Sequence, residues 1–403
     1  MSGPSQAQVS ASASRGWCAW RGVLLAAATL ALAACSGITA TTPPPQATAS
    51  VEPPPTIGIG QVKVALILPL TAPGNVGLAA QSMKNAAEMA LAEFNSPNIQ
   101  LLVKDDTGTP AGAQQAAAQA IEEGAEIIIG PLLAQTVGPV GQVARSRGMR
   151  VIAFSTDSNV ASRGVFLLSF MPESDVDRIV EYAVANGKRS FVALMPENAY
   201  GSVIEGAFQQ AVARRGARIV ALERYPLDRS AMGARIKVAA QAATRADAIF
   251  IPDGADAVPA VVQTLAASGV AVRRTQLLGT GLWDDAAITA DPALHGAWFA
   301  GPDPSGFRNF SNRYRGRFGQ DPVRTATLSY DAVALVAALV KTQGTQRFTE
   351  EVLLNPSGFA GIDGIFRFRP DGTNQRGLAI MRVTGSGPQV INPPPRSFGA
   401  SGT

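Results

Sequence analysis

The sequence predicts an α/β fold made of two lobes, each a doubly wound parallel sheet. Three observations predict this class. Short apolar runs rich in β-branched residues alternate with segments whose apolar residues recur at helical spacing. The alternation restarts at Met171–Asp175. Roughly 340 residues of this pattern are also too many for one hydrophobic core.

The clearest strand–helix–strand unit begins with Ile127–Ile129, a β-branched run that ends at Gly130-Pro131. A segment with valines at helical spacing follows and ends at Gly148. Val151–Phe154 is the next strand, and the polar loop Ser155–Asn159 follows it. Ligands of open parallel sheets bind outside the carboxyl ends of the strands. These two strand ends are therefore expected to form one wall of a binding site.

The other elements follow from the same periodicities in chain order. The first lobe is predicted to have strands at 61–70, 99–104, 127–129, 151–154 and 165–170, and helices at 78–94, 114–123 and 137–147. The second lobe is predicted to have strands at 191–194, 219–222, 248–251, 276–279 and 296–300, and helices at 176–185, 204–212, 232–244 and 256–268. Helices at 305–318 and 325–341 come next, and a final hairpin of 362–368 and 378–383 turns at Pro370–Thr373.

The N-terminus has the composition of a secretory signal. Arg15 and Arg21 precede a continuous apolar run that is shorter than the about 20 residues needed to span a bilayer. The run ends at Leu32-Ala33-Ala34-Cys35, which resembles the bacterial lipobox. Residues 1–34 are therefore predicted to be a lipoprotein signal peptide, and Cys35 to be the lipidated first residue of the mature chain. An ordinary signal peptide with an incidental cysteine is the alternative.

Irregular segments are expected at both ends of the folded part. Residues 35–60 form a Pro/Ala/Thr-rich linker with the composition of an extended tether, and residues 391–403 are predicted to be a disordered tail. The second cysteine, Cys18, leaves with the signal, so no internal disulfide is expected.

Charge and motif content argue against nucleic-acid binding and against catalysis. The formal net charge is +4, and the basic residues are scattered apart from the arginines at 308–317, which suit a solvated helix face. His295 is the single histidine, so a zinc site is not expected. The sequence has no Gly-x-Ser-x-Gly elbow and no phosphate-binding glycine loop. We therefore expect no cofactor and no enzymatic activity.

The unit around Ile127–Ile129 resembles the branched-chain amino-acid-binding proteins of the type I periplasmic binding family. The shared pattern is a strand, a Gly-Pro turn, a helix, a glycine, a strand and a Ser/Thr-rich loop, and the resemblance extends over Gln61–Val383. It implies two lobes joined by three crossovers, expected near Pro172, Pro302 and Gln346. On this basis lobe 1 comprises residues 61–172 and 302–345, and lobe 2 comprises residues 173–301 and 346–390.

The resemblance also implies a ligand cleft lined by loops of both lobes. In that family one lobe holds the charged groups of an amino acid through Ser/Thr hydroxyls and backbone amides, and the other closes with a tyrosine and an acid. The matching candidates here are Gln135, Thr136, Ser155, Thr156 and Asp157 in lobe 1, and Tyr200, Asp253, Trp283 and Asp284 in lobe 2. Leu133-Ala134 stand where the family has serines, so we expect the fold to transfer better than leucine specificity.

Each candidate also has a structural interpretation. Tyr200 suits the start of a helix, the Ser155-Thr156 loop suits bonding to its own backbone, Trp283 suits packing between lobes, and Asp253 suits a helix cap.

Two functions remain open. The first is a lipid-anchored substrate-binding protein at the periplasmic face of the bacterial envelope, which passes a small polar solute, such as an amino acid, to an ABC permease. The alternative is a regulatory lipoprotein that contacts a cell-wall synthesis enzyme. Penicillin-binding protein activators are similar in having a strand followed by Gly-Pro-Leu-Leu, which is found here at residues 130–133.

Overall fold

The computed structural model describes residues 56–398. The predicted signal peptide, Cys35, nearly all of the predicted linker and residues 399–403 lie outside the described residues, so the lipid anchor stays a prediction. Within residues 56–398, no helix combines the length and the apolar character needed to cross a membrane.

The chain first forms a six-stranded sheet with helices on both faces. Its elements are β1 (Thr56–Ile57), β2 (Val62–Leu68), α1 (Asn75–Glu93), β3 (Ile99–Asp105), α2 (Pro110–Glu122), β4 (Ile127–Ile129), α3 (Ala134–Ser146), β5 (Arg150–Ala153) and β6 (Val165–Leu167). The strand order is β1-β3-β2-β4-β5-β6, and all pairs are parallel except β1 with β3. On β2, Leu66 packs in the core shared with α1, and Ile67 packs in the core shared with α2 and α3. Burial on both faces explains why this strand is apolar throughout.

The chain then forms a second unit of alternating helices and strands. Its elements are α4 (Pro172–Ala185), β7 (Ser190–Pro196), α5 (Ala199–Arg214), β8 (Arg218–Tyr225), α6 (Arg229–Ala243), β9 (Ala248–Phe250), α7 (Val258–Ala267), β10 (Gln276–Gly279), α8 (Ala286–Ala290) and β11 (Trp298–Gly301). Phe208 of α5 stacks on Phe250 of β9 with ring centroids 4.7 Å apart, which fixes this helix against the sheet.

The last part of the chain returns to the first lobe and then completes the second sheet. Its elements are α9 (Pro304–Phe318), α10 (Ala326–Thr342), α11 (Glu350–Leu353), β12 (Phe359–Gly361), β13 (Gly364–Phe368), β14 (Asn374–Arg376), β15 (Ala379–Thr384) and β16 (Gly387–Asn392). The second sheet has the order β16-β15-β11-β10-β9-β7-β8, and β12-β13-β14 form a small third sheet. The strands β7 to β11 pair in parallel, so the predicted class of two doubly wound α/β lobes is confirmed.

The predicted final hairpin is wrong in its pairing. β13 pairs with β14 across the turn at 369–373, whereas β15 pairs with β11 and β16. The sequence analysis missed β14, because its residues Asn374–Arg376 are polar.

The chain passes between the lobes after β6, after β11 and after β14. The third crossing was expected near Gln346 and lies instead at Gly377-Leu378. Leu353, Phe366 and Phe368 belong to the core of lobe 1, and Phe368 lies 5.2 Å from Phe166 between ring centroids. Residues 346–376 therefore belong to lobe 1, because their apolar side chains are buried there.

The predicted disordered tail is also wrong at its start. Ile391 and Asn392 end β16, and the Arg367 guanidinium lies 4.6 Å from the centroid of the Phe398 ring.

Candidate functional site

All of the predicted ligand residues follow the carboxyl ends of parallel strands. Those of lobe 1 follow β4 and β5, and those of lobe 2 follow β7, β9 and β10. We call the space between these loops the inter-lobe cleft. Gly130 makes the turn after β4 at φ +98°, and a Cβ there would lie 2.0 Å from the carbonyl oxygen of Ile67. Only glycine therefore fits this turn.

The lobe 1 candidates after β4 use their polar groups within the lobe. The Thr136 hydroxyl is buried and donates to the carbonyl of Leu133 at 2.8 Å. The Gln135 side-chain amide is exposed and donates to the carbonyl of Gly108 at 2.9 Å. Neither group replaces the serines that are absent at Leu133-Ala134.

The loop after β5 is organised by its own side chains, as the structural interpretation predicted. The Ser155 hydroxyl accepts from the Asp157 amide at 3.1 Å, and Asp157 accepts from the Asn159 amide at 3.0 Å. Thr156 is exposed and forms no hydrogen bond among the described residues. Thr156 and the free backbone groups of this loop are the parts available to a ligand.

Tyr200 and Asp253 follow the neighbouring strands β7 and β9 of lobe 2. Asn198 caps α5 by accepting from the Gly201 amide at 2.7 Å, and this fixes the first turn that carries Tyr200. The Tyr200 hydroxyl lies 3.0 Å from the Thr280 hydroxyl. Burial raises the pKa of Tyr200, and the charges of Asp175 and Asp253 raise it further. Asp253 accepts from the Tyr225 hydroxyl at 2.5 Å.

The sequence analysis missed Asp175. This carboxylate comes from the first turn of α4 and accepts from the Gly281 amide at 2.9 Å, so it lies beside the loop after β10. Burial raises its pKa to about 7, against the Gly281 hydrogen bond, and Glu173 adds to the rise. The sequence feature that could have indicated this residue is the pair of acids Glu173 and Asp175 directly after the first crossing. We interpreted this segment only as the start of a helix.

Trp283 lies in the core of lobe 2. It is fully buried, and its indole nitrogen donates to the carbonyl of Ile251 at 3.1 Å. A Cβ at Gly279 would lie 2.2 Å from the indole ring. Both the predicted ligand contact and the alternative of packing between lobes are therefore corrected.

Asp284, the next residue, lies on the loop after β10, where its side chain is partly exposed and its carboxyl is partly desolvated by the surrounding protein. Burial raises the pKa of its carboxyl, and the positive charges of Arg324 and Arg308 oppose this rise. Both arginines belong to the part of the chain that returns to lobe 1. Asp284 therefore acts electrostatically across the cleft.

Arg324, which precedes α10, is the second residue that the sequence analysis missed. Its guanidinium donates to both oxygens of the buried Asp363, at 2.9 and 2.7 Å. It also lies between the rings of Phe170 and Phe307, with its carbon 4.5 Å from each ring centroid. Asp363 lies in the segment that we had assigned to lobe 2, so this pairing could not be foreseen.

The cleft thus has acids on its lobe 2 side and a fixed cation on its lobe 1 side. Within residues 56–398, no three His, Cys, Asp or Glu side chains are grouped to hold a metal ion. Such a dipolar arrangement suits the binding of a small polar solute.

A family model described as periplasmic binding protein matches residues 61–388. The chain belongs to the periplasmic binding protein family. The resemblance stated from the sequence is thereby confirmed, and the family is one of binding proteins and not of enzymes.

Two curated relatives of this periplasmic binding protein match only in part. The Leu/Ile/Val-binding protein BraC3 of Rhizobium johnstonii is 26% identical over 190 residues, which cover 44% of this chain and 51% of that protein. The penicillin-binding protein activator LpoA of Klebsiella pneumoniae is 28% identical over 131 residues, which cover 32% of this chain and 18% of that protein. The chain thus spans about half the length of the first relative and about a fifth of the second.

A solved structure shows the same fold. The ABC transporter substrate-binding protein from Desulfitobacterium hafniense, in complex with Leu, has a TM-score of 0.59 and 19% identity. The match covers 82% of this chain and 99% of that chain, so both lobes are included.

Proposed function

We propose that this protein is the solute-binding component of an ABC-type importer. It is tethered to the periplasmic face of the envelope through Cys35 and binds an amino acid or a similar small polar solute in the inter-lobe cleft. The observation that carries the proposal is the convergence of Tyr200 and Asp175 on the loop after β10: the Tyr200 hydroxyl lies 3.0 Å from the Thr280 hydroxyl, and Asp175 accepts from the Gly281 amide at 2.9 Å. The BraC3 relative and the leucine-bound structural neighbour support an amino acid as the class of solute.

The residues of the cleft favour a solute with more hydrogen-bond donors than leucine. The Thr136 hydroxyl donates within lobe 1, whereas the carboxylates of Asp175 and Asp253 belong to lobe 2. A buried charge without a partner costs several kcal/mol. A cationic or amide-bearing amino acid would pair with the acids, and an aliphatic side chain would leave them unpaired.

Calorimetry over the twenty amino acids tests this proposal. We expect a cationic or amide-bearing amino acid to bind and leucine to bind weakly or not at all. Tyr200→Ala should then weaken binding by roughly 1–3 kcal/mol, because it removes an aromatic contact and a hydrogen bond. The matched variant Tyr200→Phe keeps the ring and removes only the hydroxyl, so it should lose the smaller part of this binding free energy. Submicromolar binding of leucine would contradict the specificity, and no binding across the panel would contradict the solute-binding role.

The lipid anchor has its own test. Cys35→Ala should release the protein from the membrane fraction and abolish acylation, because Cys35 is the proposed site of lipid attachment. Palmitate labelling and fractionation of wild type and variant measure this. Cys18→Ala is the control and should leave both unchanged. Labelling that persists in Cys35→Ala would exclude this anchor.

A second candidate is a regulatory lipoprotein that resembles the penicillin-binding protein activators and binds a cell-wall synthesis enzyme. The partial LpoA match and the Gly-Pro-Leu-Leu sequence at residues 130–133 support it. The internal use of the Thr136 hydroxyl is also consistent with a cleft that has no amino-acid carboxylate to hold. No binding across the calorimetric panel would favour this candidate.

A further inference from the structure

The lobe 1 side of the cleft contains a cation that is fixed in place and still partly open to solvent. The Arg324 side chain is 38% exposed, while its partner Asp363 is almost fully buried. Asp363 holds two of the guanidinium nitrogens, and the Thr327 hydroxyl lies 3.3 Å from one of them. The remaining N–H groups, on Nε and one on Nη2, have no hydrogen-bond partner among the described residues. These donors are available to a ligand.

Two aromatic rings, one in the first crossing and one just after the second, fix the orientation of this guanidinium. Phe170 belongs to the first crossing and Phe307 to the beginning of α9, directly after the second. A guanidinium that is already held by a bidentate carboxylate and two rings loses little further freedom when it binds an anion. Arginine also matches the planar geometry of a carboxylate.

The opposite lobe supplies the counter-charge. Asp284 is exposed, and its pKa responds to Arg324 and Arg308. No hydrogen bond joins Asp284 to either arginine within residues 56–398, so the carboxylate acts through space.

We propose that Arg324 binds the carboxylate of the solute. The negative charge of this carboxylate then interacts with Arg324 in place of the negative charge of Asp284. The inference rests on the proposed function, because it requires a solute in the inter-lobe cleft. It takes over the part predicted for the Thr136 hydroxyl, which donates to a carbonyl within lobe 1. It also gives Asp284 a role other than binding the ammonium group, because the negative charge of Asp284 repels the bound carboxylate. The substrate class is then a solute with a free carboxylate.

The test uses matched pairs that differ only in that carboxylate. The probes are L-arginine with L-argininamide and L-glutamine with L-glutamine amide, each titrated calorimetrically into the full chain. We expect the wild type to bind the acid of a pair at least tenfold more tightly than its amide. Arg324→Gln should weaken binding of the acid tenfold or more and abolish the preference. Arg308→Gln removes the same charge from an exposed side chain without a fixed geometry, and it should cost less than threefold.

Asp284→Asn gives an independent result of the opposite sign. It removes the competing charge from an exposed position in lobe 2, so the acid should bind several-fold more tightly. Arg324→Gln leaves Asp363 buried without its cation; if that variant does not fold, Arg324→Lys keeps the charge and should still lose the preference for the acid. A preserved preference in a folded Arg324 variant, or weaker binding by Asp284→Asn, would overturn the inference and leave the proposed function standing. Failure of every probe to bind the wild type, together with no binding across the twenty amino acids, would overturn both.

Discussion

Trp283→Ala is expected to lower the free energy of unfolding by about 3–5 kcal/mol, as large aromatic truncations in a packed core do. The indole is fully buried among the apolar side chains of lobe 2 and fills the space beside Gly279. Its removal also takes away one of the two donors to the Ile251 carbonyl, which keeps only the Asp253 amide at 3.0 Å. Urea denaturation followed by circular dichroism measures the loss.

The neighbouring Leu282→Ala is the matched control. Leu282 lies in the same turn and is 46% exposed, so its truncation should change stability by less than about 0.5 kcal/mol. Trp283→Ala with normal stability and weakened solute binding would contradict the core assignment and restore Trp283 to the ligand site.

The sequence was sufficient to predict the fold class, because the burial of each strand determines which residue types occur within that strand. β2 and β4 are covered on both faces, and their apolar runs leave no other interpretation than central strands of a parallel sheet. The restart at Met171–Asp175 was also evident from the sequence, because a new series of helix and strand periodicities begins there, and α4 begins at Pro172.

The return of residues 346–376 to lobe 1 was not readable. Phe359, Phe366 and Phe368 have apolar side chains that either lobe could bury, and only the contact with Phe166 decides which one does. The misplaced third crossing followed from this. Pairing across more than thirty residues, such as Arg324 with Asp363, has no local pattern.

The candidate site was predictable only as far as strand ends. The rule that ligands bind beyond the carboxyl ends of parallel strands predicted Tyr200 and Asp253, which follow the neighbouring strands β7 and β9. It could not distinguish hydroxyls that face the cleft from those that bond to a neighbouring carbonyl, as Thr136 does. Nor could it distinguish the environments of two adjacent residues: Trp283 is buried in the core, whereas Asp284 is partly exposed to solvent.

Asp331 of α10 should make the protein less stable as the pH rises from 5 to 8. Its side chain is 2% exposed, one oxygen accepts from the Ile362 amide at 2.8 Å, and the other has no hydrogen-bond partner among the described residues. Burial raises its pKa from 3.8 to about 7, against the attraction of Arg376 and Arg324, and Asp363 adds to the rise. A Cβ at Gly361 would lie 2.4 Å from the unpaired oxygen, so the chain closes tightly over it.

The sign follows from proton uptake. Between about pH 4 and pH 7 the folded protein holds a proton on Asp331 that the unfolded chain releases, so the free energy of unfolding falls as the pH rises through this interval. The slope from one such group is at most about 1.4 kcal/mol per pH unit. Asp175 has the same raised pKa and contributes with the same sign. The pKa values of Asp177, Asp247 and Glu205 are lowered instead, so these groups titrate below the interval.

Chemical denaturation at pH 5, 6, 7 and 8 separates the two contributions. Asp331→Asn keeps an oxygen that accepts from the Ile362 amide but cannot ionise, so its stability should fall less steeply than that of the wild type. Asp175→Asn should remove the contribution of Asp175 to the slope. The double variant should have the shallowest dependence on pH, and the slope that is left belongs to Asp106 and Asp284, whose pKa values are also raised. A wild type whose stability rises from pH 5 to pH 8, or an Asp331→Asn variant with the slope of the wild type, would show that the buried carboxyl is ionised at both ends of the range. In that case Arg376, whose two terminal nitrogens have no hydrogen-bond partner among the described residues, would balance its charge at every pH tested.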